Sequence, residues 1–526
     1  MFRLGLAIAL GALAVGACAP ATAPPPTTTT TQSGAPATPQ ERRAANQVLK
    51  IAKTGLPLNA SPESSALNND VMGAAFDSVL RFGKNFEYRP GVAEKWELRQ
   101  ADNTWRLTLR KDLTFSNGEK LTAEDVAYTF NIILEKRWAQ LANISLVSKA
   151  VAVDEATVDV QTRTLDATIL NALPSIFVVP AKYHAANVAE FGLKPIGSAP
   201  WQLVEFKAAD RAIYRLRAGY THPYRKPTVT ELQFFAIPDL GQQINGLRGG
   251  EMDLISGTFP TDQVDILKTQ GYQVQIQSAG VSAAQILAPE IEAYGSPLKD
   301  VRVRQALNYA INRQALADAF YKGYSEPASQ IADRTAPYFD QNKKPYAYDP
   351  AKAKQLLAAA GYPNGFALTG GIVFSPLNSN PNLVAVMQGA FKDIGVDIPV
   401  NQMEQAAFTA RMNGSQGPRG DLSMIQIADA LGSFAQLPNL FDCAREGFTM
   451  RWCNREFERL FVASKGEPDA AKRNAMLRDA LNAIDADVPY VLQVTVPQFA
   501  ITNAKIKGFE WTTRSFYDFD GVYRID

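Results

Sequence analysis

Alternating strand and helix patterns along the chain predict an α/β fold. Three observations carry this reading. Trp105, Leu107 and Leu109 alternate with Arg106, Thr108 and Arg110. Val126, Phe130, Ile133 and Leu134 fall on one helical face behind Thr122. Val303, Leu307, Ala310 and Ile311 do the same behind Asp300. Segments of period two interleaved with segments of period 3.6 pack as helix layers on sheet. Their spacing is too irregular for a simple doubly wound order. The 526 residues correspond to about three units of ordinary domain size.

Two segments precede the first strand. Leu4 to Val15 is apolar, with Arg3 as the only early positive charge. The run is too short to span a bilayer and has the character of a signal peptide's apolar core. Val15-Gly16-Ala17-Cys18 fits the lipobox of bacterial lipoproteins, an aliphatic residue and two small residues before a cysteine. Small residues let a signal peptidase grip the extended backbone, and the thiol then accepts lipid. Residues 1–18 are therefore read as a lipoprotein signal peptide and Cys18 as the lipidation site. The alternative is an ordinary signal peptide with a chance cysteine. Residues 19–45 are a Pro/Thr-rich tether, with Pro24-Pro25-Pro26 followed by Thr27 to Thr31. Such a segment buries too little apolar surface to offset its ordering entropy. Extended as polyproline II at about 3.1 Å per residue, it reaches on the order of 80 Å.

The folded part then reads element by element. Val48 to Ala52 is a first strand, and Asp70 to Leu80 has a helical period through Val71, Ala74, Ala75 and Val79. Trp105 to Arg110 is a half-buried strand, and Asn117-Gly118 is a turn. Thr122 caps the next helix, with Asp125 at its third position. Val151 to Thr162 alternates again, and Thr228 to Ile237 is a buried strand. Asp300 opens a helix. Asp349-Pro350 opens another, with proline at its first position and Gly361 past its end.

The bulk numbers exclude several classes. Lys+Arg is 53 and Asp+Glu is 52, so no net charge points to nucleic acid or an anionic membrane surface. No second apolar stretch has the length of a transmembrane helix. With Cys18 assigned to lipid, Cys443 and Cys453 remain. In an oxidising compartment they form one short-loop disulfide, with two buried free thiols as the alternative. His184 and His222 are the only histidines, and neither lies near a cysteine in sequence, so no metal site is expected.

Seven segments, in order, resemble family 5 solute-binding proteins of bacterial ABC importers, the dipeptide- and oligopeptide-binding group. They are Pro90 to Trp96; Trp105 to Arg110 with Phe115 to Gly118 and Leu121 to Val126; Pro195 to Trp201; Asp300 to Ile311; Tyr348 to Tyr362; Asp487 to Tyr490; and Ile506 to Phe509. The resemblance implies a two-lobed type II (cluster C) periplasmic-binding-protein fold with an extra small domain in the first lobe. On it, residues 46–82, 196–278 and 485–526 form the main domain of the first lobe. Residues 83–195 form its small domain, and 279–484 form the second lobe. It also implies capture of a solute in the interlobe cleft by a monomer that uses no cofactor. The partners are an oligopeptide or other small solute, an ABC permease with its ATPase, and the membrane through the lipid.

The peptide-binding members hold their ligand as an added strand, with an acidic residue of the second lobe on its α-ammonium. The matching stretch here is Asp421 to Asp429. Asp429 takes the acidic position if one residue is deleted, and Ala428, Ile427 and Gln426 lead into it. Asp429 could instead cap the following turn or helix. The family's Gly-Trp is replaced by Gln426-Ile427. The arginine that dipeptide binders use for the ligand carboxylate is replaced by Phe374, followed by Ser375. A strict dipeptide site is therefore disfavoured against longer peptides or a non-peptide solute. Oligosaccharide, opine and metal chelate are the other solute classes, and a ligand-presenting lipoprotein for a sensor is the other role. No His-Glu-x-x-His or metal cluster is present, and neither histidine has a catalytic context, so no enzymatic activity is expected.

Replacing the lipobox cysteine, Cys18→Ser, moves the protein from the membrane fraction to the soluble fraction without unfolding it. Mass spectrometry of the mature N-terminal peptide checks this; a mature chain that starts elsewhere and carries no lipid contradicts it.

Overall fold

A ten-stranded sheet runs through the computed structural model. The structure describes residues 42–64, 69–83, 87–286, 296–332, 334–376, 379–412, 421–427, 441, 443, 452–513 and 516–526. The strand order is Val400–Gln402, Ile372–Phe374, Leu422–Ile427, Gln273–Ile286, Tyr490–Thr502, Leu254–Gly257, Val48–Lys53, Glu231–Ala236, Arg211–Leu216, Trp201–Lys207. At one end Ile372–Phe374 pairs parallel with both Val400–Gln402 and Leu422–Ile427. At the other, Val48–Lys53 pairs parallel with both Glu231–Ala236 and Leu254–Gly257. Two long antiparallel strands, Gln273–Ile286 and Tyr490–Thr502, join the two sets.

These two strands belong to different cores along their length. Val491 and Val494 pack with Leu307, Phe374, Met387 and Phe391 in the second lobe. A few residues on, Phe499 and Ile501 pack with Ala52, Ile244 and Ile255 in the first lobe. Between these points the pairing register of Gln273–Ile286 against its partner breaks, from Ser278↔Pro497 to Val281↔Thr495. Gly280 sits in the break with φ of 113°, a conformation that side-chain-bearing residues rarely adopt. A bulge interrupts the ladder and bends the strand. The crossover is thus the part of the sheet that carries the turn from one core to the other.

The first lobe has a second sheet, in the order Ala93–Arg99, Thr104–Leu109, Thr157–Thr162, Val147–Asp154. Trp105, Leu107 and Leu109 face inward and Arg106 outward, where it bonds Asp159 across the strand pair. The helix Ala123–Lys136 lays Val126, Phe130 and Ile133 on this sheet. It starts at Thr122 with the expected capping box, Asp125 accepting from the Thr122 N–H. The same cluster continues through Val71, Phe76, Leu232 and Phe234, so both sheets of the first lobe share one core.

Two expectations are corrected. The helix expected over Asp70 to Leu80 ends early, at Asn69–Ala75. Asp77 is drawn to Arg225, Ser78 pairs with Phe177, and Leu80–Phe82 pairs with Tyr88–Pro90. The alternation over Val151 to Thr162 is a hairpin of two strands, Val147–Asp154 and Thr157–Thr162. The helix starts at Asp300 and Asp349 form as expected; each carboxylate accepts a backbone N–H of the first turn.

Cys443 and Cys453 form a disulfide. It ties the buried Phe441, which packs on Phe457 and Tyr490, to the start of the helix Arg455–Lys465. Cys443→Ala lowers stability by up to about 3 kcal/mol through the freed loop entropy. Urea unfolding in non-reducing buffer measures this, and an unchanged midpoint contradicts it.

Candidate functional site

Strand direction locates the site. In the first lobe, Leu254–Gly257 is antiparallel to Tyr490–Thr502 with Leu254 opposite Thr502 and Gly257 opposite Phe499. Its carboxyl end, and those of its parallel neighbours, therefore run toward the crossover. In the second lobe, Leu422–Ile427 is antiparallel to Gln273–Ile286 with Leu422 opposite Ile286 and Ile427 opposite Val281. Its carboxyl end runs toward the crossover from the other side. Backbone amides and loops at the carboxyl ends of parallel strands form the usual ligand crevice of an open α/β sheet. Two such sets meet here.

The sequence-predicted residues fall at this place in part. Ile427 and Gln426 end their strand beside Val281 and Ser282 of the crossover strand. Ala428 and Asp429 follow them and lie outside the described residues. Phe374 closes the neighbouring strand but is 2% exposed, packed in the second-lobe core. Ser375 follows it and is also buried. Cys18 lies outside the described residues.

Sequence reasoning missed the first-lobe wall. A small cavity of about 50 Å³ lies beside the helix Asn69–Ala75 and the hairpin of Glu510–Thr513 with Phe516–Asp518. The hairpin is tied to the crossover strand by Gln275, which donates to the Phe509 carbonyl, and Gln277, which donates to that of Trp511. Lys53, at the carboxyl end of its strand, donates to Asp70 at 2.6 Å and lies 4.9 Å from the Tyr517 ring centroid. Burial alone would depress the Lys53 ammonium. Asp70 and Tyr517 outweigh that and hold its pKa above the ordinary lysine value.

Behind them runs a chain of buried ions. Arg225 bonds Asp77 at 2.7 Å and both oxygens of Asp520 at 3.0 Å. Arg81 bonds Asp520 at 2.9 Å and Asp518 at 3.2 Å. Burial opposes the charge on Asp520, but Arg225 and Arg81 overcome it and hold its carboxyl below the usual aspartate range. The residues are far apart in sequence and none lies in a recognisable motif. The only available signal is the run of charges at the C-terminus, Asp518 and Asp520.

Both histidines are spent elsewhere. Burial lowers the pKa of His184, whose Nδ1 meets the Tyr128 hydroxyl at 2.9 Å. Burial pushes His222 down to about 4, with Asp77 opposing and Arg110 and Arg225 assisting. Its Nδ1 accepts from the backbone N–H groups of Tyr224 and Arg225. Among the described residues no group of three or more His, Cys, Asp or Glu could hold a metal ion. No helix among them is long and apolar enough to cross a membrane.

The lobes also touch away from the crossover. Ala167 in the first donates its N–H to the Lys465 carbonyl in the second at 2.6 Å. Tyr324 in the second reaches Asp265 at 2.5 Å and Lys268 at 2.7 Å in the first.

The sequence profile of the bacterial extracellular solute-binding proteins, family 5 Middle, matches residues 87–439. The dipeptide-binding protein of Escherichia coli (strain K12) is 25% identical over 514 residues, 88% of this chain and 92% of that protein. The nickel-binding periplasmic protein of the same strain is 26% identical over 383 residues, 68% of this chain and 72% of that protein. The periplasmic binding protein DppA from Helicobacter pylori, solved with the peptide STSA, superposes with a TM-score of 0.75 at 22% identity. That match covers 92% of this chain and 99% of the other.

Removing the central cation, Arg225→Met, strands Asp77 as a buried, unpaired carboxylate and leaves Asp520 with Arg81 alone. The loss is about 3–5 kcal/mol at neutral pH. The folded-state pKa of Asp520 is depressed, so its contribution is present above the unfolded value near 3.9 and is lost as pH falls through the folded value. The variant's deficit therefore shrinks in acid. Urea unfolding at pH 7 and at about pH 3, inside that window, tests this; a deficit under about 1 kcal/mol at pH 7 contradicts it.

Proposed function

The chain belongs to the family 5 bacterial extracellular solute-binding proteins, and from that premise we propose a lipid-anchored receptor for oligopeptides that feeds an ABC permease. It sits outside the cytoplasm, held by lipid on Cys18 with the Pro/Thr-rich segment as its leash. The partner ATPase, not this chain, hydrolyses ATP. The reading rests on one observation above the rest. Two sets of parallel strands aim their carboxyl ends at one crossover, and the strand Leu422–Ile427 ends there two residues before Asp429.

A peptide laid along this edge gains main-chain hydrogen bonds whatever its sequence. Asp429 takes the α-ammonium. Each charge offsets the other's desolvation, which makes the pair stronger than either group buried alone. Ala428, Ile427 and Gln426 supply backbone beside it, and Ser375 lies at the end of the neighbouring strand. The second reading, a non-peptide solute, draws on Phe374. It stands where dipeptide binders have an arginine, and its side chain is committed to the core. A nickel-binding relative of nearly equal identity belongs with that reading.

Asp429→Asn weakens peptide binding by about 1.5–3 kcal/mol, one charge-assisted hydrogen bond. N-acetylating the peptide costs the wild type a similar amount and the variant little, because both remove the same pair. Amidating the peptide's C-terminus matters little. Calorimetry on these combinations decides between the readings. If acetylation costs the variant as much as the wild type, or if no peptide binds, the non-peptide reading replaces this one.

A further inference from the structure

The first-lobe cavity carries more negative charge than its internal pairing uses. Asp70 gives one oxygen to Lys53, and Asp77 gives one to Arg225. The other oxygen of each, Asp70 Oδ1 and Asp77 Oδ2, is buried with no hydrogen-bond partner. Both side chains are 2% exposed and both line the same cavity. Among the described residues, Asp70, Asp77, Asp518 and Asp520 stand against Lys53, Arg81 and Arg225. Counted by direct ion pairs, that is four carboxylates against three cations, with Arg217 a further cation acting on Asp77 from farther off.

Most of the remaining wall is aromatic, Phe76, Phe82, Phe177, Tyr517 and Phe519, with Gly73, Asn69, Ser78 and Thr512 between the rings. A bare divalent cation would need six or more oxygen ligands, and among the described residues no group of three or more His, Cys, Asp or Glu could hold one. An organic cation on an apolar stem fits both features. Ring faces attract the charge, the stem packs against the rings, and the free carboxylate oxygens accept its N–H groups.

We propose that this cavity is a first-lobe subsite for a basic side chain, lysine or arginine, of the bound peptide. The proposal rests on the peptide reading above and narrows it to cationic peptides. Position supports it. Lys53 ends a strand aimed at the crossover, and the hairpin over the cavity is held by Gln275 and Gln277, just before the register break at Ser278. With Asp429 holding the ammonium from the second lobe, a side chain anchored in the first bridges the two. A ligand that touches both lobes favours their closed arrangement by the free energy of the second contact.

Calorimetry of Ala-Lys-Ala against its isostere with norleucine at the middle position tests the subsite. A wild-type preference of at least about tenfold for the lysine peptide is expected from one charge-assisted hydrogen bond. The ratio falls toward one in Asp70→Asn, and likewise in Asp77→Asn. Circular dichroism confirms that each variant is folded, and two variants guard against failure of either. A second probe, agmatine alone, is read by its shift of the unfolding temperature, which Asp70→Asn reduces. Preference for the cation in either assay, lost in the folded variants, supports the subsite. If neither tripeptide binds but agmatine does, the peptide reading falls and a cation subsite stands. Equal binding of the two tripeptides together with no agmatine shift overturns the subsite and leaves solute capture intact.

Discussion

The pairing of Gln273–Ile286 with Tyr490–Thr502 is the constraint on which the rest depends. Each strand starts in one core and ends in the other. Their side chains are fixed by packing at both ends, at Val491 and Val494 on one side and Phe499 and Ile501 on the other. Between the ends, the register break and Gly280 leave a short stretch with a weakened ladder. Rigid ends joined by a weak middle make a hinge, where a few residues absorb the change in backbone angles. The same pairing sets the polarity of each lobe's parallel strands, and so decides where their carboxyl ends meet.

A hinge selects ligands only if its walls stay rigid. The first-lobe wall is held by Arg225 between Asp77 and Asp520, and by Arg81 between Asp520 and Asp518. Buried ion chains add little net stability compared with apolar packing, but breaking one member is costly. That asymmetry keeps the C-terminal hairpin in one place against the crossover strand. Away from the crossover, Ala167 meets Lys465, and Tyr324 meets Asp265 while its ring packs on Phe499 at the edge of the first-lobe core.

Local patterns made much of the fold legible. Capping at Thr122, Asp300 and Asp349 is a short-range effect, and each helix start follows from it. Alternation at Trp105, Leu107 and Leu109 matched a strand buried on one face. The helix at Asn69 ended early because Asp77 and Ser78 answer to Arg225 and Phe177, more than ninety residues away in sequence. Residue spacing carries no trace of such partners. The alternation from Val151 continued through a turn because the residues of a hairpin keep period two on both strands. The Cys443–Cys453 pair was legible because only two cysteines remained once Cys18 was set aside. The acidic cavity was not, because its carboxylates come from both ends of the chain and only the fold brings them together.

Small-angle scattering of the protein, alone and with a solute shown by calorimetry to saturate it, tests the central claim most directly. Two lobes swinging about the crossover predict a smaller radius of gyration in the saturated protein. An unchanged radius at full saturation contradicts a hinged capture device.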